Sequence, residues 1–185
     1  MSGLGLFGGA FDPPHAGHVA LVRAAKQALG LDRVVVVVTA DPGHKPVKTP
    51  ADVRLEMARA AFPDDEVVLD RHPRTIDMLR AHPEWHGATF LIGADEFASF
   101  GDWKEPAEVL RLVRLGIATR PGHDLQPPSS ERMTRFELQE PASSRAVRER
   151  LERGEDASDV IPAAVWGMIE REGLYGRQSR YTRTA

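Results

Sequence analysis

The 185-residue chain contains no cysteine, which excludes disulfides, thiolate metal sites and a cysteine nucleophile. A dominant charge is also missing. Lys and Arg number 24 against 27 Asp and Glu, a net charge of −3. No binding to bulk nucleic acid or to an anionic membrane surface is expected from that balance, which still allows a local basic pocket. The longest apolar run is about six residues around Val34 to Val38, far below the ~20 needed to cross a bilayer. Met1 leads almost directly into glycines, without a basic-then-apolar leader pattern. These absences give the expectation of a soluble, cytoplasmic protein. Its length suits one domain, placed at residues 1–175, with a basic tail at 176–185 expected to be frayed.

What is present alternates. Residues 4–7 read as a short strand ending at Gly8 and Gly9. A helical pattern follows in Leu21, Ala25, Ala28 and Leu29, stopped by Gly30. The valines 34–38 show no alternation, which fits a strand buried on both faces of a parallel sheet. Prolines make 40–50 a loop, and Val53, Met57, Ala60 and Ala61 repeat at helical spacing. Strands are expected at 66–69, 89–92 and 115–119, with helices at 75–81 and 106–113 between them. The stretch 120–133 reads as a linker, 135–138 as a last strand, and 143–151 and 160–171 as closing helices. This order predicts an α/β fold, a doubly wound, mostly parallel sheet, with a small helical C-terminal part at about 141–175.

Two glycine patterns overlap at the start. The GxGxxG spelled by residues 3–8 is rejected, because two residues cannot form the strand that must precede a dinucleotide fingerprint. The second, GGAFDPPHAGH from Gly8 to His18, is informative. Gly8 and Gly9 end a strand, where the backbone can turn and present N–H groups to an anion. His15 and His18 stand three apart at the start of the first long helix. That spacing puts both imidazoles on one helical face beside a positive helix N-terminus. Amide donors, a helix dipole and two imidazoles together suit a polyphosphate.

This motif resembles the GGxFDPxHxGH signature of the nucleotidylyltransferase superfamily. Within it, the chain is similar to the bacterial nicotinate-nucleotide adenylyltransferases over nearly its whole length. Pro42-Gly43-His44-Lys45 matches their proline-then-His-Lys loop, and Thr75-Ile76-Asp77-Met78-Leu79 their Thr-Ile-Asp-x-Leu helix. Ile92-Gly93-Ala94-Asp95, followed by Trp103, matches a strand end, and Arg120-Pro121-Gly122 a later one. Ser143, Ser144 and Arg148 match a C-terminal Ser-Ser-x-x-x-Arg, and Gly173-Leu174-Tyr175 the close. Arg74 stands where the family carries a Tyr, the approach to it is shorter, and Arg145 replaces the third residue of a Ser-Ser-Thr triplet.

The resemblance implies a Rossmann-like fold and transfer of an adenylyl group from ATP to nicotinate mononucleotide. His15 and His18 would be catalytic. Gly8, Gly9, Ala10, Phe11, Lys45, Ser143, Ser144 and Arg148 would hold ATP phosphates. Gly93 and Asp95 would meet a ribose, and Arg74, Thr75 and Trp103 the acceptor. Magnesium would travel with ATP, with no protein metal site.

Plainer roles exist for several of these. Lys45 would do as a solvated loop residue, Asp95 and Ser144 as helix caps, and Trp103 as core. His82 and His86, four apart with Pro83 between them, make a poor metal pair. Other phosphate acceptors, such as nicotinamide mononucleotide or pantetheine phosphate, are alternatives. So is a nucleotide-binding protein without catalysis.

Overall fold

The computed structural model describes residues 3–43, 47–119, 131–139 and 144–177. Strands β1 (Gly3–Gly9), β2 (Leu31–Thr39), β3 (Glu66–Asp70), β4 (Thr89–Gly93), β5 (Arg114–Thr119) and β6 (Met133–Glu137) form one sheet in the order β3-β2-β1-β4-β5-β6. Every pairing is parallel. Helices α1 (Ala16–Leu29), α2 (Ala51–Ala61), α3 (Thr75–Ala81), α4 (Ala94–Ala98), α5 (Pro106–Leu112), α6 (Ser144–Glu152) and α7 (Ala163–Glu172) complete the architecture.

The valine run explains why the sheet is covered on both sides. Val34, Val36 and Val38 of β2 pack into one apolar cluster with residues of α1, α2, α6 and α7. Val35 and Val37 point the other way, into a cluster with residues of α3 and α5. Period-two geometry divides a uniform run between two cores. The strand order reverses between β1 and β4, and in such sheets a crevice opens there at the carboxyl ends.

The elements follow the expected order, with instructive differences. The rejected GxGxxG lies inside β1, as its position required. The five-residue α4 was not foreseen, being too short to show a helical period. Helix α7 begins at Ala163 rather than 160, because Pro162 caps it in an extended conformation and disfavours helix in the residue before it. Arg177 lies 4.6 Å over the Trp166 ring and donates to the Glu155 carbonyl at 2.8 Å.

Candidate active site

The turn after β1 is built on close approach. A Cβ at Gly9 would stand 3.1 Å from the Phe11 ring, and one at Gly8 3.3 Å from Phe90. Neither glycine has a positive φ; the left-handed residue of the turn is Phe11, at φ +50°. The glycines therefore provide room, not the bend that the sequence suggested. Phe11 is buried and held by Phe7, Phe62 and His18, with ring centroids 5.4, 5.8 and 5.0 Å away. Packing on three sides can hold a backbone conformation that a bulky residue seldom adopts.

His15 and His18 meet, though not by sharing a helical face. His15 is the extended N-cap of α1, and His18 is the third residue of the helix. Their rings stack at 3.7 Å with planes 26° apart. The His15 backbone N–H donates to His18 Nδ1 at 3.2 Å, so a neutral His18 carries its proton on Nε2. His15 is buried, and its Nε2 lies 2.9 Å from Ser144 Oγ. Its Nδ1 is buried without a partner among the described residues. Burial first, and the charge of Arg148 second, lower its pKa to about 4. His15 is therefore neutral at physiological pH and has one N–H to give.

Ser144 opens α6 and faces His15, bringing the start of α6 beside the start of α1. Arg148, one turn further on, donates to the Asp12 carbonyl at 3.1 Å. Arg145 does not add its charge here; it is 87% exposed and pairs with Glu149 at 2.9 Å.

Beside this group lies a cavity of about 990 Å³ over the carboxyl ends of β1 to β4. Gly8, Gly9, Ala10, Arg74, Thr75, Gly93, Asp95 and Trp103 line it. The candidate residues thus fall into two adjoining sets, the histidines with Ser144 and Arg148, and the cleft, joined along the turn 8–11. Asp95 sits in the first turn of α4, whose cap is Gly93, so it is not the cap. Trp103 borders the cleft and meets Phe90 edge-on, with centroids 6.1 Å apart. Arg74 is exposed and donates to the Pro73 carbonyl at 2.8 Å. The acids near it are engaged elsewhere, Asp77 with Lys104 and Asp70 with His72. Lys45 and Ser143 lie outside the described residues, as do His44 and 120–122. His82 stacks on Trp85, while His86 faces the Leu79 carbonyl. No cluster of three metal-ligating side chains occurs among the described residues.

A cytidylyltransferase-like family model matches residues 6–150. The chain belongs to the cytidylyltransferase-like family. Similar members include probable nicotinate-nucleotide adenylyltransferases of Exiguobacterium sibiricum, 34% identical, and Bordetella petrii, 35% identical. Those alignments span 93% and 95% of this chain, and 98% and 100% of theirs. A solved structure of Plasmodium falciparum nicotinic acid mononucleotide adenylyltransferase, complexed with NaAD, shares the fold with a TM-score of 0.78 at 18% identity. That match covers 96% of this chain and 99% of that one. Among the described residues, no helix of this cytidylyltransferase-like protein is long and apolar enough to cross a membrane.

Three residues of this family member escaped the sequence reading. Asp12, nearly inaccessible, accepts from the Tyr175 hydroxyl and from the Lys48 backbone N–H, each at 2.6 Å. Tyr175 itself is left-handed, at φ +59°, and burial followed by Asp12 pushes its pKa well above the ordinary phenol range. Arg54, on α2, is buried and donates to four backbone carbonyls. The Gly-Leu-Tyr close was a signal for Tyr175, but nothing in the sequence connects it to Asp12.

Proposed function

We propose that the protein joins ATP to nicotinate mononucleotide, giving the deamido dinucleotide and pyrophosphate. The observation that supports this best is the stacked His15–His18 pair, set beside the starts of α1 and α6 and linked to the cleft through the turn that Gly8, Gly9 and Ala10 begin. An oxygen of the mononucleotide phosphate attacks the α-phosphorus in line. A new P–O bond forms as the bond from that phosphorus to the bridging oxygen breaks, and the electron pair leaves with pyrophosphate. No side chain becomes covalently attached, so catalysis consists of positioning and charge stabilisation.

His18 donates from Nε2 to the α-phosphate as charge develops there. His15, neutral and held by Ser144, contacts the outer phosphates. The backbone of Gly8, Gly9, Ala10 and Phe11 cradles the triphosphate, while Lys45, Ser143, Ser144 and Arg148 grip the departing end. Gly93 and Asp95 meet a ribose. Trp103 stacks on the pyridine ring, with Arg74 and Thr75 at its carboxylate. Magnesium bound to the triphosphate would supply partial neutralisation of its charge. Pyrophosphate release with ATP and a panel of phosphate acceptors tests the assignment. Release with nicotinate mononucleotide is expected. Release with another acceptor alone would reassign the substrate, and none with any acceptor would refute the reaction.

A further inference from the structure

Among the described residues, Arg54 is the largest side chain that the fold buries completely, at 1% exposure. It lies in the first turn of α2 and reaches between the carboxyl ends of β1 and β2. Its Nη1 donates to Ala10 at 2.6 Å and Thr39 at 2.9 Å, its Nη2 to Ala40 at 2.7 Å, and its Nε to Thr49 at 3.0 Å. All four acceptors are neutral carbonyls, and among the described residues it makes no ion pair. Burial lowers the guanidinium's pKa and outweighs the pull of Asp12 and Asp41, which attract it without bonding to it; Asp12 accepts from Tyr175 and Lys48, and Asp41 from the Gly43 N–H.

Carbonyl dipoles solvate a guanidinium without cancelling its charge, and a buried ion with no counter-ion bonded to it is costly. An apolar side chain would avoid that cost while leaving the four carbonyls without their donor. The cation becomes useful when an anion arrives on the far side of the peptide it holds. Because the Ala10 carbonyl points at Arg54, the N–H of the same trans peptide unit, that of Phe11, points the opposite way. We infer that Arg54 acts as the built-in counter-charge of the phosphate site, set one peptide behind the turn 8–11 and completed electrostatically by the nucleotide's own phosphates. This rests on the reading of that turn as a triphosphate cradle.

A purely structural arginine would shape the turn for any ligand, whereas a counter-charge discriminates by ligand charge. The test measures binding of ATP, inorganic pyrophosphate and adenosine to wild type, Arg54→Met and Arg54→Lys. The methionine variant should lose ATP and pyrophosphate affinity by at least about tenfold and keep adenosine affinity. The lysine variant retains the charge while breaking the four-way clamp, and should keep most of the ATP affinity. Equal losses for ATP and adenosine, or an unchanged ATP affinity in Arg54→Met, would overturn the inference. If wild type binds adenosine but neither phosphate ligand, the reading of the cradle itself fails. Should Arg54→Met not fold, the wild-type Arg54 Nε–H resonance decides the matter. It should shift with pyrophosphate and not with adenosine; a resonance unmoved by pyrophosphate counts against the role.

Discussion

At the scale of single residues, a neutral His15 has consequences for both stability and turnover. An unfolded imidazole titrates near 6.5, while burial and Arg148 hold the folded one at about 4. Between those values the unfolded chain binds the additional proton. The stabilisation is therefore fully present above about pH 6.5 and is lost as pH falls through about 4. Its size is about 3 kcal/mol. Urea denaturation between pH 7 and pH 4 should show this slope, and His15→Asn should flatten it; an unchanged slope would assign the effect elsewhere. His18 is expected to matter mainly for rate. Its Nδ1 accepts from the His15 backbone N–H, and in the proposed reaction its Nε2–H is the donor to developing charge. His18→Ala should lower turnover by at least ~10²-fold with little change in melting temperature. His15→Ala should lower it less and weaken ATP binding too. Steady-state kinetics beside thermal melts separate the two histidines.

At the scale of elements, α6 contributes its first turns to a site otherwise made by the N-terminal motif. Ser144 reaches His15, and Arg148 reaches the Asp12 carbonyl. Arg148→Ala and Lys45→Ala should each raise the ATP KM and flatten the dependence of ATP affinity on salt, since each removes a cation from a polyanion site. Unchanged salt slopes in both would take them out of it. The sheet itself was legible in the sequence, because unbroken β-branched runs and glycine stops report local preferences that the fold obeys. The histidine motif was legible for the same reason, its parts lying within one turn and the start of one helix. Arg54 and Tyr175 were not. An arginine at helical spacing reads as surface, and its burial depends on carbonyls from β1, β2 and the loop before α2. Arg145, noted in the sequence only as a departure from the Ser-Ser-Thr triplet, is turned by helical rotation to solvent and Glu149.

Across the whole molecule, the proposed reaction assigns the acceptor to the cleft and the donor to the histidine group. An acid mononucleotide differs from its amide by one carboxylate, so preference must come from donors or positive charge at that point. Arg74 borders the cleft and makes no ion pair among the described residues. Wild type should prefer nicotinate to nicotinamide mononucleotide by at least ~10-fold in kcat/KM, and Arg74→Ala should narrow that gap. Trp103→Ala should weaken both acceptors alike, because stacking does not sense the carboxylate. Competition kinetics with the two mononucleotides provide the measurement; equal use by wild type would refute an acid-specific cleft.

The contact between Tyr175 and Asp12 joins residues 163 positions apart, and that between Ser144 and His15 joins residues 129 apart. On the ribosome, the histidines are made well before α6 and Tyr175, which supply the partners of His15 and Asp12. A growing chain can pair β1 with β2 early and pack α1 against them, since those elements are neighbours in sequence. The seat of His15 and the carboxylate of Asp12 wait for α6 and for the turn that carries Tyr175. Closure of the proposed nucleotide site is thus tied to synthesis of residues 144–175, and a chain interrupted before them, though it already holds most of the sheet, lacks the groups that seat His15 and Asp12.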